Sequence, residues 1–153
     1  MRRQWALVFL LFIFFNCDDD ATYRQSQLLK ENAWLITDTV RFAVPSIVEG
    51  ASHPLYITIK HTDGYPYQNL WVKYSMVQNG KSITTQRVDM ALANRESVWN
   101  GKRMGSTYTY KQLADTLLFA ETAGNSSDLV LKFNHIMRPD TLQGIKAVGV
   151  VLD

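Results

Sequence analysis

The sequence predicts an all-β chain: a β-sandwich, jelly-roll or immunoglobulin-like, of about seven or eight strands with room for one short helix. Three observations carry this. Apolar residues recur with a period of two from Trp34 onward. Asp63-Gly64 and Asn79-Gly80, both strong turn dipeptides, separate such runs. The chain closes on Ile145–Leu152, a nearly unbroken apolar run of strand length. With 153 residues, 46% of them hydrophobic and 20% charged, the sequence has material for one folded domain.

Taken from the N-terminus, Arg2 and Arg3 precede eleven apolar residues, Trp5 to Phe15, then Asn16, the single cysteine Cys17 and Asp18-Asp19-Asp20. At about 1.5 Å per residue this run covers about half of a bilayer's hydrocarbon core, which fits the core of a signal peptide. A cysteine at its end reads as a bacterial lipoprotein signal. Residues 1–16 are then a leader, and Cys17 is the first mature residue, carrying diacylglycerol and an N-acyl chain such as palmitate. Several acyl chains together hold a protein firmly on a membrane. The alternative is a plain secretory signal with a coincidental cysteine. Phe14, Phe15 and Asn16 also stand where a lipoprotein box has small residues. The acidic triplet acts as a sorting signal or keeps the tether solvated.

Residues 17–33 read as a lipidated polar tether, with Tyr23 to Glu31 able to form a short helix. The sandwich domain is expected over 34–153. Val40, Phe42 and Val44 share one face and end at Pro45. Leu55, Ile57 and Ile59 share another, and beyond Asp63-Gly64 come Leu70, Val72, Tyr74 and Met76. Asn79-Gly80 leads into a strand over about 82–92. Lys111 to Ala120 is ambiguous: Leu113, Leu117 and Ala120 have helical spacing, yet the stretch also suits a strand. After the Gly124-Asn125-Ser126-Ser127 loop, Leu129, Leu131, Phe133, His135 and Met137 alternate as far as Pro139.

Charge and composition exclude several classes. Removing Arg2 and Arg3 lowers the 16 basic residues to 14, which balance the 14 acidic ones, so no nucleic-acid surface is indicated. One cysteine excludes a disulfide framework or zinc knuckle. His53, His61 and His135 form no helical zinc motif. His61 and Asp63 are spaced either for a metal pair or for an ordinary turn, and His135 reads as a core histidine. There is no nucleophile elbow and no phosphate-cradling glycine loop. No enzyme, cofactor, metal or small-molecule substrate is expected. Trp34, Tyr65, Tyr67, Trp71 and Trp99 are either a sugar-stacking platform or core residues and loop plugs.

The stretch Tyr56 to Trp71, with Asp63-Gly64-Tyr65-Pro66-Tyr67-Gln68-Asn69-Leu70-Trp71, resembles the gliding-motility lipoprotein GldH family. So do Trp99-Asn100-Gly101, His135-Ile136-Met137-Arg138, Leu142-Gln143-Gly144-Ile145 with Val148-Gly149, and Trp34 with Asp38-Thr39-Val40-Arg41-Phe42. Lys60-His61 and Ala147 depart from the family pattern. The resemblance implies a non-enzymatic cell-envelope lipoprotein, anchored by lipid and expected at the outer membrane. Its implied partners are other envelope proteins of gliding motility and type IX secretion. The runner-up is a surface glycan-binding lipoprotein. Gly101 and Gly144 suit turns with positive φ. Arg138, stiffened by Pro139, and Trp71 are the candidate partner contacts. Thr39, Thr116 and Thr141 follow aspartates in Asp-Thr-apolar tripeptides. These resemble an O-glycosylation acceptor, or occur by chance near strand starts.

Overall fold

The computed structural model describes residues 21–45, 52–118 and 129–153. Among them are eleven strands: β1 Tyr23–Leu28, β2 Ala33–Leu35, β3 Val40–Val44, β4 Ser52–Thr62, β5 Asn69–Gln78, β6 Lys81–Ala91, β7 Lys102–Met104, β8 Thr107–Leu118, β9 Leu129–His135, β10 Thr141–Gln143 and β11 Ile145–Leu152. One sheet has the order β1-β11-β4-β8-β7 and the other β3-β9-β5-β6, while β10 and β2 form a small ribbon. Every pairing is antiparallel. The leader, Cys17 and the Gly124–Ser127 loop lie outside the described residues.

Alternation builds the core, as the sequence predicts. Leu55, Ile57 and Ile59 of β4 face Leu70, Val72 and Tyr74 of β5 and Leu131 and Phe133 of β9 in one fully buried cluster. β11 is buried on both faces apart from Lys146. Its outward side is filled by small or branched residues, and a Cβ on Gly149 would lie 2.4 Å from Thr58 Oγ1.

Within the stretch 17–33 expected as a polar tether, Tyr23–Leu28 is a strand. β1 pairs with β11 over six residues, from Tyr23 against Leu152 to Leu28 against Ala147. A strand buried on both faces cannot leave one ladder edge unsatisfied, and β1 supplies the missing hydrogen bonds. Its burial pattern explains why the sequence hides it: Tyr23 alone is buried and the other five side chains are exposed. Tyr23 also closes this side of the sandwich, its hydroxyl donating to the Ala43 carbonyl of the other sheet at 2.9 Å. Burial pushes that phenol's pKa up. Of the short helix that Tyr23–Glu31 could have formed, only one 3-10 turn, Lys30–Asn32, is present. The strand count exceeds seven or eight through β1 and through the three-residue strands β2, β7 and β10.

Lys111 to Leu118 belongs to β8, and a bulge explains its ambiguous spacing. Leu55 pairs with Asp115 and Tyr56 with Leu113, so Ala114 is the extra residue. Leu113 consequently faces solvent, 52% exposed, while Leu117 is buried. Asp115 turns inward, where its carboxylate accepts from the Tyr74 hydroxyl and from the Thr116 amide.

Asn79 and Gly80 have φ of 49° and 77°, the left-handed pair of a type I′ hairpin turn. Gly80→Val should therefore cost about 1 kcal/mol or more, since a β-branched residue resists positive φ. Thermal unfolding is the check, and an unchanged midpoint would count against the turn.

Candidate functional site

Strand order sets which side chains meet at each end of the sandwich. Tyr23, Leu152, Leu55, Val44 and Leu129 mark one end, where β1 enters and where the Asn79-Gly80 turn lies. The opposite end holds the Thr62–Asn69 connection, the β7–β8 turn and the bend after β9. Leu28, Leu35, Ile36, Tyr67, Trp71, Val98 and Met104, all large and exposed, belong to this opposite end.

At this end the backbone of the residues before Arg138 runs beside Trp71. β9 stays beside β5 past its last strand residue: the Ile136 amide donates to the Trp71 carbonyl at 3.0 Å. The Trp71 amide donates to the Met137 sulfur at 3.4 Å. The next residue is Arg138, which is exposed and forms no hydrogen bond or ion pair among the described residues. On the other flank the Ile36 amide donates to the Asp140 carbonyl at 2.7 Å, and Leu35 pairs with Thr141. The backbone thus sets Leu35, Ile36, Arg138 and Trp71 along one rim of this end of the sandwich, with Trp71, on the outward side of β5, 40% exposed. Sequence reasoning named Trp71 and Arg138 but missed Leu35 and Ile36, which follow buried Trp34 with no alternation to mark them.

The remaining aromatics are mostly interior. Trp34 is fully buried, its indole N–H donating to the Asp38 carbonyl at 3.0 Å. Tyr65 is buried too, and its hydroxyl donates to the Asn69 carbonyl at 3.0 Å. Burial, and then the neighbouring Tyr67, push the Tyr65 phenol's pKa far up. Trp99 is half-buried against the core. Five aromatics therefore do not make an exposed platform; of the five, only Tyr67 and Trp71 present a large exposed surface.

Each histidine has a structural setting. His61 is the fifth inward residue of β4 and fully buried, while Asp63 faces solvent, so the two do not converge on a metal. The His61 ring lies 4.7 Å from Trp99 edge-on and 5.5 Å from Tyr108 in a stack. Its Nδ1 lies 2.9 Å from the Thr62 carbonyl and, as donor to it, fixes the neutral tautomer, leaving Nε2 enclosed without a partner. Burial lowers its pKa, and the Thr62 bond opposes this in part. His135 is buried edge-on to Trp34 at 5.6 Å. Burial lowers its pKa as well, opposed in part by the backbone of Trp34 and Asp140 and by the Asp140 charge. His53 Nδ1 lies 3.1 Å from the Asp153 carbonyl. Among the described residues no group of His, Cys, Asp or Glu is placed to hold a metal.

The three threonines differ in access. The Thr39 hydroxyl accepts from Asn134 Nδ2 at 2.8 Å. Thr116 is exposed within β8, opposite Pro54, and Thr141 is exposed at the start of β10.

No curated protein matches the chain. Among solved structures it is similar to a chain of the infectious bursal disease virus Gx strain, at 13% identity and a TM-score of 0.35, covering 86% of this chain and 29% of that one. A Gt-strain chain of the same virus gives 10% identity and a TM-score of 0.19, with 86% and 42% covered. The chain thus spans less than half the length of either. Residues 21–152 match the family model described as GldH lipoprotein, from just before β1 to the last residue of β11. The chain belongs to the GldH lipoprotein family.

Proposed function

We propose that this protein is a lipid-anchored, non-enzymatic component of the cell envelope that serves the gliding-motility and type IX secretion apparatus. Cys17 carries the lipid, and the protein is held at the outer membrane. Its working surface is the rim of Trp71, Arg138, Leu35 and Ile36, which docks another envelope protein of that apparatus. The observation that supports this best is the gathering of exposed apolar side chains at the end of the sandwich remote from the tether. Protein contacts concentrate their energy in a few aromatic and Arg residues, and this rim supplies one of each within a bonded frame. Burial of Trp34 and Tyr65 takes two of the five aromatics away from the sugar-platform alternative.

The test is a deletion strain complemented with variants. Deletion should block type IX export, and gliding in a cell that glides, on any glycan supplied. Cys17→Ser should take up no fatty-acid label and leave the membrane fraction. Arg138→Ala should impair export while leaving the melting temperature unchanged, the loss of a charge-assisted contact being worth about 1.5–3 kcal/mol. A deletion strain that exports normally but fails to grow on one polysaccharide would transfer the function to glycan binding.

A further inference from the structure

The outer face of the four-stranded sheet carries an unbalanced positive charge that the register makes explicit. Phe42, Tyr74 and Phe133 point into the core, so Arg41, Lys73 and Lys132 point outward on β3, β5 and β9. Arg41 stands directly opposite Lys132, and Lys73 directly opposite Arg87. Opposed residues on one face have Cβ atoms about 5 Å apart, and like charges there destabilise a sheet. Asp89 is the one acidic strand residue that the register places on this face among the described residues. Asn69 Nδ2 holds its Oδ1 at 2.7 Å. None of the four cations has an ion pair among the described residues. A folded chain that sets two like-charge pairs side by side on an open face has a surface suited to an anionic one.

The position of the tether says which surface. Five residues separate Cys17 from Tyr23, so six Cα–Cα steps join them, a span of at most about 20 Å. Tyr23 lies at the edge of the five-stranded sheet and bonds to Ala43, the outward neighbour of Arg41 along β3. The two sheets are about 10 Å apart, so a sandwich lying on its four-stranded face keeps Tyr23 within reach of the bilayer. We propose that this face, through Arg41, Lys73, Arg87 and Lys132, rests on the anionic headgroups of the membrane that holds the anchor. The proposal rests on the lipoprotein reading of Cys17. It lays the strands parallel to the bilayer and turns the end of the sandwich that carries Leu35, Ile36 and Arg138 sideways, toward neighbours in the same membrane. Trp71, on the outward side of β5 beside Lys73, then sits at the corner between that end and the bilayer.

The test uses residues 21–153, which hold every described strand and the whole buried cluster. Co-sedimentation with phosphatidylcholine vesicles is compared with vesicles that also contain phosphatidylglycerol. Binding should strengthen on the order of a hundredfold with the anionic lipid and weaken as salt is raised. Lys73→Glu with Lys132→Glu should abolish the gain. That variant turns both like-charge pairs into opposite-charge pairs, so it should melt no lower than wild type. Lys60→Glu with Lys102→Glu, elsewhere on the molecule, should keep the gain. Equal binding to both vesicles, or equal loss in the two double variants, would overturn the proposal. So would a Lys73→Glu/Lys132→Glu protein that still binds anionic vesicles but no longer supports export, which would assign the face to an acidic protein. The domain lacks Cys17, so a missing fatty-acid label would remove the lipoprotein reading without touching the vesicle result.

Discussion

Gly101→Ala should be among the most damaging single substitutions in the domain, at about 2–5 kcal/mol by denaturant unfolding. Gly101 has φ of 87°, and a Cβ there would lie 2.3 Å from the Thr109 carbonyl oxygen and 2.9 Å from Tyr110 Cα. Both neighbours are backbone of β8, so neither can turn aside as a side chain would. The chain must either flatten φ or lift away, and lifting breaks the pairing of Lys102–Met104 with Thr107–Thr109. Trp99, two residues earlier, would then lose its seat against His61 and Tyr108. Gly105 is the control: its φ is 62°, but nothing lies within 4 Å of the added Cβ. Gly105→Ala should cost about 1–2 kcal/mol, the backbone part alone. Equal effects at the two positions would show that the approach to β8 contributes nothing.

Acid should weaken the fold through His61 and His135. Both are buried, and burial lowers both pKa values from 6.5. The unfolded chain therefore binds protons below pH 6.5 that the folded one refuses. Stability is full above that pH and falls as pH drops below it, by up to about 1.4 kcal/mol per pH unit for each histidine. For the pair, the loss between pH 6.5 and pH 5.5 is at most about 2 kcal/mol, because the unfolded histidines are already half-protonated at pH 6.5. Urea unfolding across pH 7.5 to 5 measures it. His61→Gln with His135→Gln should flatten the profile, whatever it does to stability at neutral pH. A wild-type midpoint that stays level, or a double variant with the same slope, would overturn the assignment.

Much of this architecture was legible because period-two burial is strong where it occurs. The inward rows of β3, β4, β5 and β9 and the Asn79-Gly80 turn follow from the sequence alone, whereas His61, spaced like a metal or turn residue beside Asp63, extends the inward row of Leu55, Ile57 and Ile59 in the fold. What escaped was structure without such periodicity. β1 exposes five of its six side chains and is ordered by the ladder of β11, a long-range pairing that no local pattern announces. The Ala114 bulge reverses the facing of Leu113, so its spacing to Leu117 looked helical. At the candidate site, Trp71 and Arg138 were identifiable as residues, yet their adjacency depends on the continuation of β9 beside β5. The basic face was invisible for a different reason: total charge balances, and only register sorts the cations onto one surface.

The pairing of the first strand with the last also determines how the domain answers tension. On the proposed anchoring and docking, a pull between anchor and partner would act at opposite ends of the sandwich, nearly along the strands. β1 would then be drawn lengthwise past β11, with its hydrogen bonds lying across the direction of force. The six register pairs from Tyr23–Leu152 to Leu28–Ala147 resist together in shear, whereas peeling from one end would open them one at a time. A domain pulled in this way would be gripped by the strongest geometry that a two-strand contact offers. Its weak direction is sideways, away from the sheet.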